Sequence, residues 1–311
     1  MPKVQRVILE VQSGPLYGTK KVLEPGTKLR VGRRQRADFV VPDDQMSAPH
    51  FEIAWDGSTC TLKDLKSQKG TLVGGQAVKE AELKNGSWIR AGVSDFLVFF
   101  EASTPPVMDF DEALLNADEE DLKPLAAQWL RENRDKKLAE RAAREERARA
   151  ALASLAAVAG QRYALLDATR SERIIILLQE SVEEYRSLYE GVEGLALAHV
   201  APYLVSLPQG TRLLQSLVLE GWEKRWSSFI ACDRPFKDVR RHLRRFLLVA
   251  DEDTRERFYF RFYDPEVLRT FIPTATARQR EDFFGPISAF YVEGEHGDLC
   301  RFSASNSAEV S

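Results

Sequence analysis

Between residues 4 and 102 the apolar residues come in short runs with no helical period, and this excludes a helical fold for the first third of the chain. The runs are Val7-Ile8-Leu9-Glu10-Val11, Lys28-Leu29-Arg30-Val31, Phe51-Glu52-Ile53-Ala54-Trp55, Thr59-Cys60-Thr61-Leu62 and Phe96-Leu97-Val98-Phe99-Phe100, punctuated by the turn pairs Asp56-Gly57, Gly74-Gly75 and Asn85-Gly86. Many short strands closed by such turns predict an antiparallel β-sandwich over residues 1–102.

The pattern then changes twice. Pro105-Pro106 closes the β-rich part, an acidic stretch follows, and a helix is expected from about Asp121, with Pro124 tolerable in its first turn. Leu122, Leu125, Ala126, Trp129 and Leu130 form one apolar stripe, whereas Arg131 to Arg149 carries charge on almost every face, so residues 103–160 read as an acidic linker and a solvated, charged spacer helix. Beyond Gly160, strand and helix alternate. Strands are expected at Tyr163 to Asp167, within Leu195 to Leu207, at Trp226 to Ala231 and at Arg257 to Tyr263. Helices are expected at Ile174 to Leu178 behind a Thr169-x-x-Glu172 capping box, after Pro208-Gln209-Gly210-Thr211, and from Phe236 to Val249. That alternation predicts an α/β domain over 161–295 with a largely parallel sheet, followed by a loose tail over 296–311. The whole is multidomain, with an all-β sandwich, a charged helical linker and an α/β domain.

With 311 residues, 44% apolar and 29% charged, the chain has an ordinary globular composition and room for two cores. A formal net charge of -3 without a strongly basic domain argues against nucleic acid as a partner. Cys60, Cys232 and Cys300 have neither disulfide-framework nor metal-ligand spacing, so no metal is expected and a reducing compartment fits. The first residues alternate like a strand and lack the apolar core of a leader, and no run approaches the eighteen or so apolar residues of a membrane span. The expectation is an unprocessed cytoplasmic protein without a membrane partner.

Three short motifs lie within the β-rich part: Arg30-Val31-Gly32-Arg33, Ser47-Ala48-Pro49-His50 and Ser67-Gln68-Lys69-Gly70-Thr71. Their order and spacing resemble the forkhead-associated (FHA) domain, a module that binds phosphothreonine peptides, over about residues 4–102. A phosphothreonine carries close to two negative charges and three acceptor oxygens, so its receptor needs a fixed guanidinium and hydroxyl donors. The resemblance implies that Arg33 and Ser47 supply these, that Gln68 and Lys69 stand in the peptide-binding loop, and that Gly32, His50, Gly70 and Thr71 build the site, His50 as a brace. Arg33 could otherwise be an ordinary surface arginine beside Arg34 and Arg36, and Ser47 a turn cap. The sequence departs from the family at Ala48, where Arg or Asn is frequent, at Lys69, where an Asn holds the peptide backbone, and at Gly74, where a second Asn is usual. A scaffold that docks protein without phosphate is the alternative for this domain.

In the last part, the strings Tyr163-Ala164-Leu165-Leu166-Asp167-Ala168, Ala201-Pro202-Tyr203-Leu204-Val205, Arg240-Arg241-His242-Leu243-Arg244-Arg245-Phe246, Phe260-Arg261-Phe262-Tyr263-Asp264-Pro265 and Phe283-Phe284-Gly285-Pro286-Ile287 resemble the effector-adaptor, or effector-chaperone, domain of bacterial type VI secretion systems, over about 161–293. That resemblance implies a non-enzymatic protein that holds a toxic effector and helps load it onto the secretion spike, with effector toxin and spike protein as partners. From the residues, Phe258, Phe260 and Phe262 should share a buried strand face. Arg261 and Asp264 should pair at the strand end, with direct partner contact as the alternative. Arg240, Arg241, Arg244 and Arg245 lack acidic neighbours in sequence and are candidates for docking an acidic partner, if they are not simply a solvated face. His199 reads as a core histidine. No G-x-S-x-G, H-E-x-x-H, P-loop or G-x-G-x-x-G motif occurs, so neither catalysis nor a cofactor is expected. The functional expectation is an adaptor with an FHA module for phosphoprotein docking; the alternative is a phosphothreonine-dependent signalling scaffold downstream of a Ser/Thr kinase.

Overall fold

The computed structural model describes residues 5–107, 113, 115–116, 123–191, 196–250, 257–305 and 309–310. The chain divides into two compact units, one of Met1–Pro105 with Gln179–Glu184 and one of Pro106–Leu178 with Tyr185–Ser311.

The first unit is the expected sandwich. One sheet has six strands in the order β2 (Lys20–Leu23), β1 (Val7–Ser13), β11 (Ser94–Phe100), β10 (Ser87–Ala91), β7 (Thr71–Val73) and β8 (Gln76–Val78). The other has five, β4 (Phe39–Val40), β3 (Thr27–Gly32), β5 (Phe51–Trp55), β6 (Cys60–Asp64) and β9 (Glu80–Leu83). All pairs are antiparallel except β3 with β4. On β5 the alternation places Phe51, Ile53 and Trp55 inside, in one cluster with Leu9, Phe96 and Val98 of the facing sheet, so the core lies between the sheets. Gly74 and Gly75, both with positive φ, form the two-residue turn between β7 and β8, a conformation that glycine adopts without steric cost.

The second unit has three layers. Helix α1 (Pro124–Ala157) precedes β12 (Arg162–Asp167) and α2 (Glu172–Gln179). Then come β13 (Tyr185–Ser187), β14 (Pro202–Ser206), α3 (Arg212–Gly221), β15 (Ser227–Ala231) and α4 (Phe236–Arg244). The hairpin β16 (Leu248–Ala250) and β17 (Arg257–Tyr259), α5 (Pro265–Thr274), α6 (Ala277–Phe284), β18 (Ala289–Glu293), β19 (Leu299–Phe302) and β20 (Glu309–Val310) complete it. Every residue of central strand β12 is buried. Its Ala164 and Leu166 face the core built with α1, α2 and α3, and its Tyr163 and Leu165 face the core built with α4, α5 and α6.

The sheet order is β13-β14-β12-β15-β18-β19-β20, and every pair is antiparallel, which overturns the expectation of a largely parallel sheet. β14 and β15 do run the same way, joined through α3 as a crossover connection demands, but β12 lies between them and antiparallel to both. Strand–helix alternation in sequence reports the crossover and not the strand inserted into it.

Other expectations are also corrected. The tail expected over 296–311 contains β19, whose Leu299, Cys300 and Phe302 are buried in the sheet. Strand β17 ends at Tyr259, and Phe258 is exposed; only Phe262 is fully buried, with Phe260 partly so, because the chain leaves extended structure before residue 262. Helix α4 ends at Arg244 and gives way to β16. The Thr169/Glu172 capping box does not form: the Asp167 carboxylate accepts from Thr169 N, and Ser171 Oγ accepts from Arg173 N.

The spacer helix is solvated only in part. Leu122 and the carboxylates at 119 and 120 lie outside the described residues, Leu125 is exposed, and Leu130 packs on Leu115. Toward the C-terminal end, Ala148, Ala151 and Leu155 are buried against the sheet and α3, because alanine interrupts the charge pattern there. Buried Arg162 fixes that end by donating to the Leu155 carbonyl (2.7 Å), the Ala156 carbonyl (3.0 Å) and the Pro208 carbonyl (3.1 Å).

Candidate functional site

At one end of the sandwich, the end of β3, the turn that precedes β5 and the loop that follows β6 are tied together by one residue. His50 is fully buried. Its Nδ1 accepts from Ser47 N (2.9 Å), which leaves the proton on Nε2 to donate to the Gly70 carbonyl (3.1 Å). Its backbone N–H donates to the Val31 carbonyl and its carbonyl accepts from Leu65 N. Burial lowers the pKa of the imidazole and outweighs the Gly70 contact, so the ring is held neutral. Gly32 is required where β3 meets this turn: a Cβ there would sit 2.8 Å from Pro49 Cα and 2.8 Å from the Ser47 carbonyl oxygen.

The brace sets Arg33 and Ser47 side by side. Arg33 N donates to the Ser47 carbonyl (3.0 Å). The guanidinium is half-buried; NH1 donates to the Asp44 carbonyl (3.2 Å) and lies 3.7 Å from the fully exposed Asp44 carboxylate. Its Nε is buried and has no hydrogen-bond partner among the described residues. Ser47 Oγ accepts from Gln68 N (3.0 Å), so its own hydroxyl proton is left to donate outward. A fixed, half-exposed guanidinium beside a fixed hydroxyl is what a phosphate oxygen trio requires.

The neighbouring loop is equally determined. Asp64 accepts from Ser67 N, Ser67 Oγ and Thr71 Oγ1, the last from a buried threonine; burial alone would raise its pKa, but these hydrogen bonds outweigh it and hold the carboxyl below its ordinary value. Gly70, at positive φ, turns the chain so that its carbonyl meets His50. Gln68 is exposed, and Lys69 Nζ donates to Gln45 Oε1 (2.7 Å), so the lysine head group is occupied where the FHA pattern has an asparagine. Ala48 leaves a shallow groove whose other walls are Arg33, Arg34, Gln35, Arg36 and Val40. Arg34 and Arg36 line this groove beside the motif residues, in an Arg-Arg-Gln-Arg run visible in the sequence.

In the second unit the residues singled out from sequence do not form one patch. Arg261 pairs with Asp167 (2.6 Å) rather than with Asp264. Asp264 is buried, caps α5 through Glu266 N, and binds Arg170 (2.6 Å) and Arg225 (2.8 Å), whose guanidinium also reaches Glu266. Burial raises the Asp264 pKa, and the two arginines and the capping bond more than reverse it. The Arg-Phe-Tyr-Asp-Pro string therefore ties the ends of β12, β15 and α5 together, above an aromatic cluster in which Phe283 stacks on Phe290 (5.1 Å) and meets Phe260, Phe262 and Phe271 edge-on or tilted.

The arginines of α4 do have acidic neighbours, Glu190 brought in by the fold and Asp238 on the helix itself. Arg240 and Arg244 each reach Glu190 at 2.6 Å and also bond the Ser187 and Leu188 carbonyls, respectively. Arg241 pairs with Asp238 (2.8 Å), and Arg245 donates to His242 Nδ1 (3.0 Å). His242, not His199, is the satisfied core histidine: its Nε2 meets the Phe283 carbonyl at 2.7 Å, whereas His199 is exposed. A groove lined by Arg234, Asp238, Arg241, His242, Arg245 and Pro286 remains open. Among the described residues no group of His, Cys, Asp and Glu could hold a metal ion, and no helix is long and apolar enough to cross a membrane.

Comparison with known proteins follows the same division. Residues 29–92 match the FHA domain, and residues 162–282 match a domain of unknown function, DUF4123, which is known as a type VI secretion effector-adaptor family; neither is a known catalytic family. FhaA, an FHA domain-containing protein of Mycobacterium tuberculosis, is 39% identical over 92 residues, which is 30% of this chain and 17% of that protein. A structure solved for the analysis of phosphothreonine-dependent FHA domain interactions is 36% identical, covering 33% of this chain and 99% of its own, with a TM-score of 0.29. The FhaA FHA domain, complexed with the intracellular domain of Rv3910, is 39% identical over 30% of this chain and 98% of its own, with a TM-score of 0.28.

Proposed function

We propose that this chain, an FHA domain followed by a DUF4123 domain, is a non-enzymatic adaptor that binds a type VI secretion effector and helps load it onto the secretion spike. Its FHA domain supports phosphothreonine-dependent protein docking, and its DUF4123 domain carries the adaptor role. The observation that carries the reading is the union of the two: an Arg33–Ser47 pair with unused donors, braced by His50, on the same chain as an adaptor domain whose charged motif residues are committed to holding its own fold. In this reading Arg33 and Ser47 bind the phosphate, Gln68 and Lys69 flank the peptide, and the effector meets the second unit. Its docking patch narrows to the open groove where Arg241 and Arg245 lie with Arg234: Arg240, Arg244, Arg261 and Asp264 are tied to distant parts of the fold, whereas Arg241 and Arg245 are exposed and, among the described residues, bond only Asp238 and His242 on their own helix.

The test is co-expression of the full chain with the toxin encoded beside it, followed by size-exclusion chromatography. The chain and toxin should co-elute, and Arg33→Ala should not disturb them, whereas reversing Arg241 and Arg245 should slow association, most visibly at low salt. A folded chain that co-elutes with neither a toxin nor a spike protein of its locus, yet binds a phosphothreonine peptide, would replace the adaptor reading by that of a signalling scaffold.

A further inference from the structure

Arg34 and Arg36 stand beside the candidate phosphate site and make no ion pair or side-chain hydrogen bond among the described residues. Both are exposed and, with Arg33, line the groove closed by Gln35, Val40 and Ala48. The acidic residue nearest in sequence does not neutralise them. Asp38 is turned away: its Oδ2 accepts from Arg30 N (2.9 Å) and Nε (3.1 Å), and its Oδ1 accepts from Arg30 NH2 (3.2 Å). Burial of Phe39 and Ala37 on either side of Asp38 fixes that register, as does the Asp38 N–H bond to the Arg30 carbonyl. Asp44 lies against Arg33, Asp43 is buried and bonded to Gln45, Val93 and Ser94, and Asp64 is taken by Ser67 and Thr71. A chain with a net charge of -3 thus places three arginines and no acid among the residues that line this groove.

We propose that this groove selects its ligand: the phosphothreonine read by Arg33 and Ser47 lies in an acidic peptide, whose Asp or Glu carboxylates beside the phosphorylated residue are taken by Arg34 and Arg36. This inference rests on the phosphothreonine reading and adds to it the class of peptide. Exposed guanidinium groups that no internal carboxylate satisfies among the described residues are complementary in charge to the carboxylates of such a peptide. Each such contact is worth little alone, but two act together on one flexible segment, and both weaken as salt screens them. Val40 and Ala48 are the apolar residues among those lining the groove, and their short side chains add no charge to it.

Fluorescence anisotropy on the full chain distinguishes the possibilities with three labelled peptides, each carrying one phosphothreonine and flanked on both sides by glutamate, alanine or lysine. The glutamate peptide should bind at least about fivefold tighter than the alanine peptide, the lysine peptide should bind more weakly than either, and the spread should shrink when salt is raised. In an Arg34→Ala/Arg36→Ala variant the alanine peptide should keep its affinity within about twofold while the glutamate advantage disappears. Equal binding of the three peptides by the unaltered chain, or a glutamate advantage retained by the variant, overturns the selection and leaves the phosphothreonine reading intact. Absence of binding by all three peptides overturns both.

Discussion

Replacing His50 by alanine removes the buried side chain that holds the Ser47 turn to the Gly70 turn, and leaves the more exposed Ser47–Gln68 and Lys69–Gln45 contacts in place. The substitution leaves Ser47 N–H and the Gly70 carbonyl, now bonded at 2.9 and 3.1 Å, without a partner, and opens a cavity where a fully buried ring had been. A buried donor or acceptor left unpaired costs about 1–3 kcal/mol. Ser47 and Gly70 are themselves only half-buried, so water should reach them and the lower end applies; with the cavity, the total is about 2–5 kcal/mol. At about 1.4 kcal/mol per factor of ten, amide protection in the first unit should fall by roughly 30- to 3,000-fold. Hydrogen exchange followed by mass spectrometry on the full chain resolves the two units separately. Peptides spanning 43–50 and 64–72 should lose protection, while those spanning 162–167 and 227–231 should not. Protection of the first pair unchanged within about threefold, in a folded variant, would refute the bracing role. The pH dependence has a definite sign. The folded-state pKa of His50 lies below the unfolded value of about 6.5, so below that pH the unfolded chain takes up a proton that the folded one refuses. Stability is full above about pH 6.5 and falls as the pH drops toward the folded-state pKa, and His50→Ala should remove that part of the slope.

Asp264→Ala should destabilise the second unit by about 1–3 kcal/mol, because it uncaps α5 and removes the buried carboxylate between Arg170 and Arg225, which keep Asp167 and Glu266 as partners; exchange protection of 265–274 reports it. Glu293 is buried on β18 and its pKa is pushed up to about 7, chiefly by desolvation, so the folded state holds a proton that the unfolded chain releases near pH 4.3. The stability of the second unit should therefore decline as the pH rises from about 4.3 toward about 7, and Glu293→Gln should flatten that decline in urea titrations at several pH values. Ala151→Asp should unfold or loosen the second unit by burying an unpaired charge against α3, whereas Leu138→Ala on the exposed stretch of α1 should change stability by less than about 0.5 kcal/mol; thermal unfolding of the two variants compares them directly.

The sandwich was legible because the short apolar run of β1, the alternation over β5 and much of β11 and the Gly-containing turns each report a local fact, and the fold adds only which sheet each strand joins. The geometry of the candidate site was legible for the same reason: Gly32, Ser47, His50 and Thr71 stand at strand ends or in the short loops between them, so spacing alone brings them together. The second unit was harder to read because its decisive contacts are distant in sequence. Nothing near Arg240 and Arg244 in the chain shows that Glu190 will reach both of them, and nothing near Arg261 shows that Asp167 will displace Asp264 as its partner. Strand direction was hidden too, since β12 enters between two strands that a helical crossover joins. The buried end of α1 was concealed by the same effect in miniature: alanines at 148 and 151 carry little hydrophobic signal, and their burial is decided by the sheet and by Arg162.

The central claim is that one chain joins a phosphothreonine reader to an effector holder, each able to work while the other is occupied. Calorimetric titration of a phosphothreonine peptide into the purified complex of the full chain with its effector tests it most directly. One peptide should bind per chain, its unphosphorylated form should not bind, and Arg33→Ala should abolish the heat while the effector stays bound. Heat that is equal for the phosphorylated and unphosphorylated peptides, or that survives Arg33→Ala, would contradict the claim, as would release of the effector by the peptide.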